Sequence, residues 1–102
     1  IVEQAMKRIH QSFTEDLTLQ TLADELAIHP VTLSQLFKKE VGTNFLDYVT
    51  ELRIQRAKEL LRHSNLKIYE IAEAVGYQDF HYFGRLFKKK TGVTPKEHRY
   101  GR

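Results

Sequence analysis

Leu33-Ser34-Gln35-Leu36-Phe37-Lys38-Lys39, closed by Gly42, is answered 50 positions later by Phe83-Gly84-Arg85-Leu86-Phe87-Lys88-Lys89, closed by Gly92. Upstream, Leu22-Ala23 and Leu26-Ala27 match Ile71-Ala72 and Val75-Gly76 at an offset of 49, so the second copy holds one extra residue in its turn. Each copy reads as a short helix, a tight turn, a second helix and a glycine stop. A helical solenoid would show such a repeat too, but arrays of that kind normally need roughly three or more copies. Here there are two, and a long helical stretch joins them.

Helical periodicity covers nearly the whole chain, and strand signals are almost absent. The pattern predicts an all-α fold of about seven helices. The first spans residues 1–12, with Val2, Ala5, Met6 and Ile9 as its apolar stripe. Thr18 is placed to cap a second over residues 19–26. After the turn Ala27-Ile28-His29, Pro30 suits the first position of a third helix, which Gly42 stops. Asn44 opens the connector over residues 44–62, and a fifth helix covers residues 68–75. Asp79 caps a sixth that ends at Gly92, and Thr94-Pro95-Lys96-Glu97 has the form of a capping box opening a seventh. The expected division is a first helix-turn-helix subdomain over residues 1–43, the connector over 44–62 and a second subdomain over 63–102.

The composition removes several classes of function. With no cysteine, disulfides and thiolate metal sites are excluded, and a reducing compartment is compatible. The histidines (His10, His29, His63, His81, His98) never recur at i, i+3 or i+4, so no zinc site is expected, nor any cofactor. There is no glycine-rich phosphate loop and no nucleophile set beside a base, so the chain does not read as an enzyme. No apolar run approaches the roughly 20 residues of a membrane span. The chain opens on Ile1 rather than Met, which suggests a piece of something longer. Its net charge of +3 is uneven: residues 1–45 carry four Lys/Arg and six Asp/Glu, residues 46–102 twelve and seven. The second half is therefore expected to attract an anionic partner more strongly.

Within each second helix, Leu33, Leu36 and Phe37, and likewise Phe83, Leu86 and Phe87, form a core stripe at i, i+3, i+4. The opposite faces carry Val31, Ser34, Gln35 and Lys38 in one copy and His81, Gly84, Arg85 and Lys88 in the other. A helix entering a DNA major groove needs short or flat donors near its start, a small residue for close approach, and cations further along for phosphate. Arg85 is the main candidate, since arginine forms a bidentate pair with guanine, and Gln35 is placed to read adenine. Lys38, Lys88 and Lys89 suit phosphate, whereas Lys39 and Lys90 read as solvated. Arg53, in mid-connector, reads as structural. Nineteen connector residues span roughly 28 Å as helix, compatible with the roughly 34 Å between successive major-groove faces.

Ile71-Ala72-Glu73-Ala74-Val75-Gly76-Tyr77, then Tyr82-Phe83-Gly84-Arg85-Leu86-Phe87-Lys88-Lys89, then Gly92-Val93-Thr94-Pro95 and Arg99 resemble the signature of the AraC/XylS family of bacterial transcription regulators. Leu33 to Lys39 with Gly42 resembles the family's first unit, and Arg53, Ala57 and Leu60-Leu61 its connector, so the resemblance covers residues 3–100. It implies a cytoplasmic regulator domain whose partners are double-stranded DNA and RNA polymerase. The isolated domain would be monomeric, with any dimerisation supplied by a part not included here. Carried across, the base contacts fall on Val31, Thr32, Ser34, Gln35, Phe80, His81 and Arg85. The chain departs from the common pattern at Gly84, often a serine, and at Lys67, often a capping serine or threonine, so the fifth helix starts less cleanly. Val31 and Phe80 offer no hydrogen bond and suit a thymine methyl instead. A helical protein-interaction module that has lost DNA binding is the alternative, and acidic or bulky apolar reader faces would favour it.

Overall fold

The computed structural model describes residues 1–101, all helix and connecting turn, with no strand among them. The helices are α1 (Val2–Ser12), α2 (Leu19–Glu25), α3 (Pro30–Val41), α4 (Phe45–His63), α5 (Ile68–Ala74), α6 (Phe80–Thr91) and α7 (Pro95–Tyr100). They form two compact units, one over Ile1–Glu51 and the other from Leu52 onward. The division falls inside α4. Phe45 and Val49 are buried in the first unit, and Ile54, Ala57 and Leu61 in the second, so the long helix is core to both.

In the first unit α1 and α2 pack on α3. Val2, Ala5 and Ile9 of α1 are buried with Leu22 and Ala23 of α2 and Leu33 and Phe37 of α3. Met6, expected in the same stripe, is only half-buried. The Phe37 ring meets Phe45 and Tyr48 edge-on, with centroids 6.2 and 5.7 Å away, and removing such a fully buried ring costs about 3–5 kcal/mol. Polar ties sit at the surface. Arg8 holds the Glu25 carboxylate at 2.7 and 3.2 Å and also donates to the Ser12 hydroxyl. The Tyr48 hydroxyl and His10 Nε2 are 2.7 Å apart.

In the second unit α5 and α7 pack on α6. Its core gathers Ile54, Ala57 and Leu61 of α4, Ile71 and Ala72 of α5, Val75, and Phe83 and Phe87 of α6. Arg53 sits over the Tyr77 ring, 5.0 Å from its centroid, a cation–π contact within this unit.

Both turns between the paired helices are the same hydrogen-bonded device. At the end of α2, Ala27 N–H donates to Asp24 O (3.2 Å) and Ile28 N–H to Ala23 O (3.0 Å). At the end of α5, Gly76 N–H donates to Glu73 O (3.1 Å) and Tyr77 N–H to Ala72 O (2.8 Å). This is a Schellman motif, which needs a left-handed residue at its bend. Ala27 supplies it at φ 55° and Gly76 at φ 108°. The added residue of the second copy therefore lies after the motif, between Tyr77 and the α6 cap. Completely buried Ala23 and Ala72 let the first helix of each pair lie close on the second.

The caps explain where helices begin. Thr18 and Thr94 each accept from the backbone N–H three residues on, at 3.1 Å. The Asn44 side chain does so for Asp47 at 2.8 Å, which starts α4 at Phe45. Lys67 has no lone pair to offer, so α5 keeps only the reverse half of a capping box: the Glu70 carboxylate accepts from Lys67 N–H at 2.8 Å.

Candidate nucleic-acid interface

Each reader helix is aimed by the residue before it. The ring Nδ1 of His29 accepts from Val31 N–H at 3.2 Å, and Pro30 fills the first helical position of α3. For α6 the Asp79 carboxylate accepts from His81 N–H (3.0 Å) and Tyr82 N–H (3.1 Å). These bonds, that of Tyr82 foremost, hold the Asp79 carboxyl below the usual aspartate range, helped by the charges of Arg85 and His81. At the other end, Gly42 and Gly92 close both helices in the left-handed conformation, each donating N–H to the carbonyl of Lys38 or Lys88.

The two reader helices present the same sequence of exposed, half-buried and buried positions. Leu33 and Phe37, like Phe83 and Phe87, are fully buried. Val31, Thr32, Gln35 and Lys38 are exposed in α3, with Ser34 half-buried between them. Phe80, His81, Arg85, Lys88 and Lys89 are exposed in α6, with Gly84 half-buried at the place of Ser34. Every residue expected from sequence to touch DNA therefore lies on the outward side of its helix. Val31 is 57% exposed and Phe80 42%. The Phe80 and His81 rings lie against each other, with centroids 4.3 Å apart. A Cβ added at Gly84 would meet nothing within 4 Å, so the fold itself does not require glycine there.

The arginines differ in how they are occupied. Arg8 is paired with Glu25, Arg56 with Glu59 at 2.9 Å, and Arg53 lies on Tyr77. Arg62 donates to His98 Nε2 at 3.3 Å, and Arg99 donates to backbone carbonyls of Leu60, Leu61 and Ser64. The Arg85 side chain enters no hydrogen bond or ion pair among the described residues. The side chains of Lys38, Lys88 and Lys89 enter none either.

An open groove of about 360 Å³ runs along the outward face of α6. Phe80, His81, Gly84, Arg85 and Lys88 line it, as expected of a reader face, but so do Ile68 from the start of α5 and Lys96 from the start of α7. Sequence reasoning missed Ile68 and Lys96. Local signals accounted for both as helix-start residues, and only tertiary packing brings them beside α6.

Residues 22–100 match the family model described as a helix-turn-helix domain. The chain belongs to the AraC/XylS-type helix-turn-helix family. This AraC-type domain is similar to the C-terminal domain of AraT, a response regulator from Geobacillus stearothermophilus, at 43% identity and TM-score 0.96, covering 99% of this chain and 84% of that one. It is similar also to the C-terminal domain of the two-component response regulator YesN from Fusobacterium nucleatum, at 42% identity and TM-score 0.92, covering 95% of each chain. Among curated proteins it is 40% identical over 98 residues to the bifunctional transcriptional activator/DNA repair enzyme AdaA of Bacillus subtilis, covering 96% of this chain and 46% of that protein. The AraC-type domain spans less than half the length of the curated relatives it matches. No helix among the described residues is long and apolar enough to cross a membrane.

Proposed function

We propose that this AraC-type domain reads duplex DNA at specific sequences through both units, with α3 and α6 each set in a major groove. The observation that carries this reading is the doubled face. Two helices of one chain expose short, polar and cationic groups in the same register, and Arg85 is left without an ion pair while the other described arginines are engaged. Val31, Thr32, Ser34 and Gln35 meet bases from α3, and Phe80, His81 and Arg85 from α6. Lys38, Lys88 and Lys89 meet phosphate. Val31 and Phe80 suit thymine methyl groups, which gives their exposure a purpose.

In the same reading the domain is the output end of a bacterial cytoplasmic regulator and acts on transcription through RNA polymerase. The likeness to two response-regulator C-terminal domains at over 40% identity supports that place. The deciding experiment is selection of bound sequences from random duplexes, repeated across salt. The expected outcome is an asymmetric site of two blocks roughly one helical turn apart, with affinity that falls steeply as salt rises. A profile without sequence preference overturns the proposal.

A further inference from the structure

The groove beside α6 is amphipathic in a particular way. Ile68, Phe80 and Pro95 give it an apolar lining, while Arg85, Lys88 and Lys96 bring three cations to it. Lys88 belongs to the reader helix. Lys96 comes from α7, eight residues further along the chain and beyond the Gly92 stop. No ion pair among the described residues takes up the Lys96 charge. Burial does not hold it in place either, since Lys96 is exposed.

A DNA strand has the matching character. Its deoxyribose rings present C–H faces, and its phosphates carry one negative charge each, with a cation contact releasing bound counterions. The groove is continuous with the reader face, so a duplex that accepts α6 in its major groove brings one wall of that groove to it. We infer that the groove seats one sugar–phosphate strand bordering the major groove read by α6, with Lys96 as a phosphate contact and half-buried Ile68 against deoxyribose, while Pro95, buried, forms only the floor. This rests on the proposed DNA reading and adds a positioning residue from outside the reader helix. Lys96 thereby fixes the depth and tilt of α6, because it holds the strand from a second helix.

The test uses the duplex selected by the whole domain. Each backbone phosphate near the α6 block is replaced in turn by a neutral methylphosphonate, and binding is measured for the unaltered protein, Lys96→Gln and Lys90→Gln. Lys90 is exposed and lies outside the groove lining, so it serves as a comparison. The expected result is about three- to tenfold weaker binding for Lys96→Gln, a salt dependence shallower by roughly 0.9 in log–log slope, and unchanged base preference. One methylphosphonate position should weaken the unaltered protein and Lys90→Gln but leave Lys96→Gln indifferent, and Lys96→Arg should restore sensitivity there. If Lys96→Gln behaves like Lys90→Gln at every phosphate, the strand seat is wrong while the DNA reading stands. Failure of the unaltered domain to select any duplex removes both.

Discussion

The guanidinium of Arg99 donates to the carbonyl oxygen of Leu61 at 2.9 Å, closing the open end of α4 from a helix 38 positions away in sequence. Further bonds run to Ser64 O at 3.1 Å and Leu60 O at 3.5 Å. The last carbonyls of a helix have no partners inside it, and a cation there also meets the negative end of the helix dipole. One planar side chain satisfies the Leu61 carbonyl and, just past the helix end, that of Ser64, whereas Leu60 O already accepts from the Ser64 N–H and hydroxyl. Arg99→Ala should therefore lower stability by about 1.5–3 kcal/mol, the range for hydrogen bonds to a charged group. Arg99→Lys should recover only part of this, since an ammonium lacks the fork. Chemical denaturation measures both, and equal stability of all three proteins would show that the carbonyls are satisfied by water.

The paired turns predict two substitutions of opposite sign. Ala27 adopts the left-handed conformation at φ 55°, which a side chain disfavours, and Gly76 adopts it freely at φ 108°. Ala27→Gly should stabilise the domain by up to about 1 kcal/mol, and Gly76→Ala should destabilise it by at least as much. Thermal unfolding of the two variants settles the signs, and parallel shifts would contradict the account.

Gly84 separates stability from function. With open space where its Cβ would stand, Gly84→Ala should stabilise α6 by about 1 kcal/mol through helix propensity alone. The added methyl group also stands on the face proposed to enter the groove, so DNA binding should weaken. Unfolding and binding measured on one preparation should move in opposite directions. A variant gaining both would show that α6 keeps its distance from the bases.

Arg85→Ala should relax base preference in one block of the selected site only, costing about 1–3 kcal/mol against the preferred base. Repeating the selection with the variant tests this. Uniform weakening across all sequences would make Arg85 a phosphate contact instead.

His98 carries a pH dependence. Its burial, then the charges of Arg62 and Lys58, hold its pKa below the ordinary histidine value, and its Nε2 accepts from Arg62. Its ring also stands edge-on to Phe87 in the core, 5.6 Å between centroids. Because the unfolded chain takes up the proton first, stability should decline as pH falls below about 6.5 and level off once the folded histidine has also titrated. His98→Gln should flatten that region of the stability curve relative to the unaltered protein. An identical curve for both proteins would assign the slope to other groups.

Much of this fold is legible in local sequence because its signals are local. Thr18, Asn44, Asp79 and Thr94 announce helix starts by their own chemistry, and Gly42 and Gly92 announce stops. The outward faces of α3 and α6 follow from periodicity once Phe37 and Phe87 are taken as core. What the sequence hides depends on contacts between distant residues. His29 gives no sequence signal as the cap of α3, since histidine is uncommon in that role. The half-burial of Met6 and the sharing of α4 between two cores depend on which helices come to lie alongside. Lys96 reads as one more residue of a capping box until α7 is seen beside α6.

The sharing of α4 also has a bearing on synthesis. A growing chain has all the first unit's buried residues once Thr50 has left the ribosome, while the second unit still lacks α5, α6 and α7. The last tie of that second unit arrives only with Arg99. The buried residues of the two units therefore emerge in order, the first set complete while Ile54, Ala57 and Leu61 of α4 still lack the helices that cover them. Ile54, Ala57 and Leu61 are the residues a chaperone would meet during that interval.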